Sequence, residues 1–427
     1  MPSKYDESGF ELTTGSDIGF EKYFLMGDPF PPFTITDEEP EIFVDRKELM
    51  QELQDFIIRM YKTGDSDAFV ILGDYGDGKT HILKYLKKEI NSAYANLATE
   101  RALAVYVRPG GSILDFVANF VSSLGLGFLS QTVDEFIKPL LKQKNLGDVQ
   151  QTTLWGGVPL EVKAKYGTLE IVNEKLESDL LEDIGSSELL AILIAIANRQ
   201  HRLTAWSWLK GFPITAQDRK KVNVASPLKE DSALSVLTGL IKFLHRAGYK
   251  VVYILFDELE EVSELDDETR RYIYLNYLRQ FIDDNQQGLA FIFGATVAGW
   301  DALRESAEAL QRRIVYHRRL SKFDLTDTLN LVEYYLAKER ERYLKLASRS
   351  KHEVIQEIED RGADARFYPY SQAAIEKLQE LAQSRAGYIL KGLKMLMKAG
   401  YVSGKYYATS QDVIDVIASS DMLESGV

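Results

Sequence analysis

Gly73-Asp-Tyr-Gly-Asp-Gly-Lys-Thr80 matches the pattern G-x-x-x-x-G-K-[ST]. Just before it runs Asp67-Ala-Phe-Val-Ile-Leu72, short, apolar and rich in strand formers, and a helical pattern follows from Thr80 to Ile90. Strand, Gly-rich turn and helix in that order are the setting the pattern requires. Its glycines let the backbone curl so that successive amides point inward at an anion, and the helix beginning near Lys79 turns its positive dipole end to the same point. The stretch predicts a loop that cradles the phosphates of ATP with Gly73, Asp74, Tyr75, Gly76, Asp77 and Gly78. Lys79 is expected to reach the β- and γ-phosphates, and the Thr80 hydroxyl to ligate Mg²⁺. Asp77 would repel polyphosphate and is expected to turn outward. His81, just past the loop, is a candidate nucleotide contact, although helix packing is the role expected more of such a histidine.

Such a loop calls for a second element, a hydrophobic strand ending in an acid. Val251-Val-Tyr-Ile-Leu-Phe256 followed by Asp257-Glu258 supplies it. Asp257 would face the metal and Glu258 would polarise the attacking water; a solvated, acid-rich helix start is the alternative. The run Ala290-Phe-Ile-Phe293 leads through Gly294-Ala to Thr296, placing a hydroxyl at a strand end, where open α/β sheets bind ligands. A helix cap is the other use of such a threonine. Arg312 and Arg313 follow, candidates for an arginine delivered to a neighbour's γ-phosphate, against the reading of ordinary solvated surface.

Buried-type strands separated by helical stretches indicate a parallel sheet covered on both faces. The expected fold class is therefore α/β, a parallel-sheet P-loop NTPase core. Residues 46–61 read as an amphipathic helix, Leu103–Val107 as a further strand, 112–245 as a largely helical insertion, and the chain after 325 as helical. The expected organisation is an acidic arm over 1–40, a nucleotide-binding core over 41–324, and a helical lid over 325–427. At 427 residues, 45% hydrophobic and 27% charged, the composition excludes a mainly disordered or fibrous chain. With no cysteine, disulfides, cysteine nucleophiles and thiolate zinc sites are excluded. The five histidines show no metal-ligand spacing. The net charge of −13 is uneven: residues 1–45 carry eleven Asp/Glu against Lys4 and Lys22, a net of −9. The charge thus says little about nucleic acid. The start lacks a secretory pattern, and Leu189–Ala197, the longest strongly apolar stretch, falls short of the roughly 20 residues a bilayer needs. A cytoplasmic protein with no membrane partner is expected.

The pattern resembles the AAA+ ATPases of the origin-recognition-like branch, and more narrowly the ATP-binding proteins of bacteriophage-exclusion (BREX) defence systems. The resemblance covers roughly residues 27–420. It is carried by Phe43-Val-Asp-Arg46, Gly73–His81, Trp208-Leu-Lys-Gly211, Leu255-Phe-Asp-Glu-Leu-Glu260 and Phe291–Thr296. It implies that Val44, Asp45 and Arg46 lie near the adenine, that Thr296 is a first sensor, and that Arg313 is an arginine finger. The segment after about 325 becomes a lid over the nucleotide. Lids of this type usually carry a sensor arginine in a Gly-x-x-Arg context; here the segment reads Gly387-Tyr-Ile-Leu390, with Arg385 two residues before it and Lys391 just after. Asp77 departs from the usual small residue at its position.

The expectation is an Mg²⁺-dependent ATPase binding ATP and ADP. It would work as a homo-oligomeric motor or switch on DNA or a DNA-bound partner in phage defence. Alternatives are a nucleotide-gated scaffold with negligible hydrolysis and a transposition-helper or helicase-loader ATPase. Any direct DNA contact is expected to be weak and sequence-nonspecific, through Arg312, Arg313, Arg318, Arg319 and Lys322. Trp206 and Trp208 are either partner anchors or, more in keeping with large aromatics, packed under the insertion.

Overall fold

The computed structural model describes residues 19–31, 46–97, 100–143, 169–171, 173–265, 267–306, 310 and 312–418. Five strands form one parallel sheet: β1 (Ala68–Leu72), β2 (Arg101–Val107), β5 (Tyr249–Phe256), β6 (Leu289–Ala295) and β7 (Tyr316–Arg319), in the order β2-β5-β6-β1-β7. Side chains alternate across a strand, and the sequence uses both sides. In β5, Val252, Ile254 and Phe256 enter one apolar cluster, while Val251, Tyr253 and Leu255 enter another on the opposite face. β1 divides in the same way, Val70 to the first and Phe69 and Ile71 to the second. This two-sided burial is why these strands read as continuous apolar runs.

The face bearing Phe69 is covered by α1 (Lys47–Thr63) and α2 (Lys79–Tyr94). In α1 the buried residues Leu49, Leu53, Phe56, Ile57 and Met60 form one helical stripe. The other face is covered by α3 (Ile113–Leu124) and the rest of the long connection between β2 and β5. That connection comprises α4 (Leu126–Phe136), a short antiparallel pair β3 (Leu141–Gln143) and β4 (Leu169–Ile171), α5 (Glu174–Ile184), α6 (Ser187–Ala197), α7 (Arg202–Leu209), α8 (Ala216–Lys221) and α9 (Glu230–Arg246). The insertion shares one continuous apolar cluster with the sheet and so forms no separate lobe. Trp208 is wholly buried and donates from Nε1 to the Ser226 carbonyl at 2.8 Å. Packing is thus its role, and Trp206 packs half-buried against the same cluster.

After β5 come α10 (Glu260–Ser263) and α11 (Glu268–Asp284), then β6 and α12 (Val297–Ser306). β7 is the strand the sequence does not announce: Tyr-His-Arg-Arg is polar and mostly exposed, and β1 is its strand partner in the sheet. The chain then builds a helical bundle from α13 (Leu325–Ala347), α14 (Lys351–Asp360), α15 (Gln372–Leu381), α16 (Ala386–Ser403) and α17 (Ser410–Ala418).

Residues 19–31, from the acidic arm expected over 1–40, pack into this bundle. Tyr23, Phe24, Leu25 and Phe30 are buried among Val332, Tyr368, Tyr370 and Met397. Tyr23 Oη donates to the Met397 carbonyl at 3.2 Å, and Lys394 pairs with Asp28 at 2.7 Å. The physical reason is apolar content: four large side chains within eleven residues outweigh the acidic charge around them.

Among the described residues no single helix is long and apolar enough to cross a membrane. One pair bent by 75°, Ile113–Leu124 with Leu126–Leu140, passes on length and composition, and its first helix is buried against the sheet.

Candidate functional site

The loop from Gly73 to Gly78 leaves β1 and enters α2, as the sequence requires. Gly76 and Gly78 take φ of 84° and 95°, a region where L side chains are strained, so these two positions need glycine for the curl. Their N–H groups have no acceptor among the described residues, and with the α2 N-terminus they form a concave donor surface. Lys79 is buried within it, its Nζ donating to the carbonyls of Gly73 at 2.6 Å and Asp74 at 3.2 Å.

Asp77 does not turn outward. It is only 6% exposed, and its Oδ2 accepts the Asp74 N–H at 2.7 Å. The carboxylate is consumed inside the loop, closing a short turn with the Asp77 N–H on the Asp74 carbonyl. Tyr75 stands 55% exposed at the tip. His81 lies half-buried in the first turn of α2.

Asp257 ends β5 and is completely buried. Its Oδ2 accepts from the Thr80 hydroxyl at 2.6 Å and from Tyr106 Oη at 2.7 Å. β1 and β5 are not neighbours, since β6 lies between them, and the two side chains meet across it only because β6 carries Gly294. A Cβ there would sit 2.9 Å from Asp257 Oδ1 and 3.1 Å from Leu83.

Glu258, at φ 55°, is turned out of the strand direction, and its Oε1 accepts from Arg108 at 2.7 Å. Burial and then a hydrogen bond with Glu261 push its carboxyl up to about 8, against the pull of Arg108. Glu260 is 2% exposed and accepts the Thr296 N–H at 3.0 Å; burial raises its pKa too.

The Thr296 hydroxyl accepts from the Gly299 N–H at 3.1 Å, capping α12. It is 7% exposed and keeps its own proton to donate. Arg46 donates to the Ser321 carbonyl at 3.0 Å, lies over the Phe323 ring, and stands 4.0 Å from the Cβ position of Gly78, so it borders the loop. Val44 and Asp45 lie outside the described residues.

The arginines are not gathered at this site. Arg313 makes a two-pronged pair with Asp283 at the end of α11, its Nη2 at 2.8 Å. Arg312 is exposed beside it, and Arg318 pairs with Glu52.

The bundle rests directly on the loop. The Gly387 N–H donates to the Gly76 carbonyl at 3.0 Å, the Tyr388 ring packs against Gly76, and Arg385 Nη2 lies 4.0 Å from Asp74 Oδ2. Sequence reasoning missed Tyr106, Arg108, Gly294 and Tyr388. Position alone could have flagged the first two, at the carboxyl end of a strand beside β5. The last two act through space and have no signature.

A five-stranded parallel sheet wrapped by helices, a P-loop facing an acidic strand end, and a helical bundle over the loop together make the AAA+ fold with a C-terminal lid. Within it the chain resembles the BREX system ATP-binding proteins BrxC/D, whose family model matches residues 191–393, just under half of the chain. That match runs from α6 through β5 and β6 into α16, so the P-loop lies outside it and is independent of it. No curated protein sequence matches the chain. Among solved structures, ORC2 of Aeropyrum pernix in its ADP form is 14% identical, with TM-score 0.48 over 92% of this chain and 73% of that one. ORC1 of Aeropyrum pernix, solved in complex with DNA, is 9% identical, with TM-score 0.46 over 90% and 67%. Cdc6p of Pyrobaculum aerophilum is 11% identical, with TM-score 0.45 over 92% and 73%.

Proposed function

We propose that this protein binds and hydrolyses ATP with Mg²⁺, as a homo-oligomeric AAA+ switch working on DNA or a DNA-bound partner in a phage-exclusion system. The observation that carries the reading is the 2.6 Å contact between Thr80 and Asp257, 177 residues apart, at the mouth of an amide-lined loop. Among the described residues no group of three or more His, Asp or Glu side chains could hold a metal alone. A hydroxyl and one carboxylate fit Mg²⁺, which takes most of its ligands from water and phosphate. Bound there, Mg²⁺ would neutralise charge developing on the β- and γ-oxygens.

The chain's own groups do the rest. Lys79 leaves the loop carbonyls for phosphate oxygen, and the Gly76 and Gly78 amides add donors. Thr80 Oγ1 and Asp257 Oδ2 would hold the metal. Glu258 Oε takes the proton of the attacking water, while Arg108 holds that carboxylate in place. Thr296 turns its hydroxyl proton toward the γ-phosphate side. Arg46 borders the base. Arg313 or Arg312 acts on a neighbouring subunit's nucleotide; for Arg313 this requires its pair with Asp283 to open. The working division is a core over 41–324 and a lid over 325–427, with residues 19–31 of the arm acting as part of the lid. The family match supports the defence setting.

Lys79→Ala tests the assignment. ATP binding, followed by fluorescence of a labelled nucleotide, should disappear while the circular dichroism spectrum stays that of the wild type. Full ATPase activity in that variant would refute the site.

A further inference from the structure

Two of the five cations in the cluster after residue 311 are neutralised within the chain, Arg313 by Asp283 and Arg318 by Glu52. The excess cations lie elsewhere. From Arg199 to Lys229 the sequence carries seven Lys/Arg against the single acid Asp218, a net of +6 in a chain of −13. The fold gathers them around α7 and α8. The pKa of His201, before α7, is lowered by burial and then by the charge of Lys221, which ends α8, so the start of α7 and the end of α8 lie near each other. Arg199 and Lys220 are exposed and have no ion-pair partner among the described residues. Lys221 is shared with Asp218 at 2.8 Å and keeps 45% of its side chain in solvent.

An aromatic ring stands beside one of these charges. Phe212 is 51% exposed, with Lys210 Nζ 4.7 Å from its ring centre. A ring that costs free energy in water and lies beside a cation fits a ligand that is both polyanionic and flat-faced. Backbone phosphates and bases meet both requirements, whereas an acidic polypeptide meets only the first. The loop also sits at the working rim of the sheet. Gly211 packs against Leu114, where a Cβ would come within 2.9 Å, and Leu114 lies just past the β2 end that bears Arg108.

We infer that the α7–α8 face, with Arg199, Lys220 and Lys221 and with Lys210 beside Phe212, is a docking surface for the phosphodiester backbone of nucleic acid. The inference rests on the nucleic-acid part of the function proposed above, and not on hydrolysis.

The test is fluorescence anisotropy of the full chain with a labelled 30-nucleotide strand, its duplex and labelled polyglutamate, each across a salt series. Wild type should bind nucleic acid and not polyglutamate. In Arg199→Glu/Lys220→Glu/Lys221→Glu the duplex salt slope should become shallower by about 2.7, at about 0.9 per lost phosphate contact. Lys220→Gln alone should remove about 0.9. Labelled-ATP affinity unchanged from wild type certifies the fold of both variants. Phe212→Ala should weaken single strands about tenfold and spare duplex if unpaired bases are the source of the contact. Loss for neither form, with the charge effect intact, assigns the surface to duplex backbone alone. Wild-type binding with unchanged affinity and slope in the charge variants would overturn this surface and leave the proposed function standing. Equal binding of polyglutamate would overturn its nucleic-acid character. No binding of any nucleic acid at low salt would remove both the surface and that part of the function.

Discussion

Arg108→Gln tests how the general base is set. Arg108 Nη2 and Glu258 Oε1 are 2.7 Å apart, with 38% and 23% of their side chains exposed. With charge centres about 4 Å apart and an effective dielectric near 20, their attraction is about 4 kcal/mol. Solvent access to the guanidinium reduces this to about 1.5 kcal/mol, which is about one pH unit. Burial already holds the Glu258 carboxyl up at about 8 with Arg108 pulling it down, so removing Arg108 raises it further. A base works only when deprotonated, and its rate is lost as pH falls through its pKa. The acid limb of the single-turnover hydrolysis rate should therefore move about one pH unit toward alkali. The rate at pH 7 should fall about tenfold, with nucleotide affinity nearly unchanged. Phosphate release measured from pH 6.5 to 10 reads this directly. A limb that stays put, or a variant faster than wild type at pH 7, would refute the reasoning. The second result would mean that Arg108 sequesters the carboxylate.

Glu258→Gln should be more heat-stable than wild type at pH 9, with the difference shrinking toward pH 5. The folded-state pKa is raised above the ordinary carboxyl value, so the stability tied to that proton is complete below the unfolded pKa and lost as pH rises through about 8. Equal melting curves at pH 9 would count against it. Phe24→Ala removes a ring buried between Tyr343 and Tyr368 and should cost the bundle about 3–5 kcal/mol. Hydrogen exchange should then speed up in α13–α17 while β1 stays protected; uniform protection would show that the strap is dispensable. Arg313→Ala should flatten the rise of specific ATPase activity with protein concentration that a finger supplied by a neighbour produces. An unchanged curve would leave Arg313 to its pairing with Asp283.

The parts of this fold legible in the sequence are those where one local pattern decides. Two-sided burial makes β1, β5 and β6 continuous apolar runs, and the loop after β1 has a spacing no ordinary turn needs. Asp257 and Glu258 could be found because a P-loop demands an acid at a strand end. What stayed hidden depends on neighbours remote in sequence. β7 is a strand through its pairing to β1, not through its composition. Asp77 has an inward lone-pair partner, the Asp74 amide, that only the closed loop supplies. Arg108 and Tyr106 gain meaning because β2 pairs with β5 in a register that sets Val107 beside Phe256. The acid count of the first 45 residues concealed the aromatic content of residues 20–30.

That strap has a consequence for how the molecule is made. Tyr23 and Phe24 leave the ribosome more than 300 residues before their partners Tyr368 and Met397. During synthesis these apolar side chains wait unsheltered while the sheet and insertion form. The bundle, which needs both segments, can close only after the sheet and insertion between them have been made, through contacts of very long sequence separation. A fragment begun at residue 325 would lack Tyr23, Phe24, Leu25 and Phe30 and carry an apolar trench in their place. The lid is thus a late joint between early and late parts of the chain, and its completion is a built-in sign that the intervening core has been made.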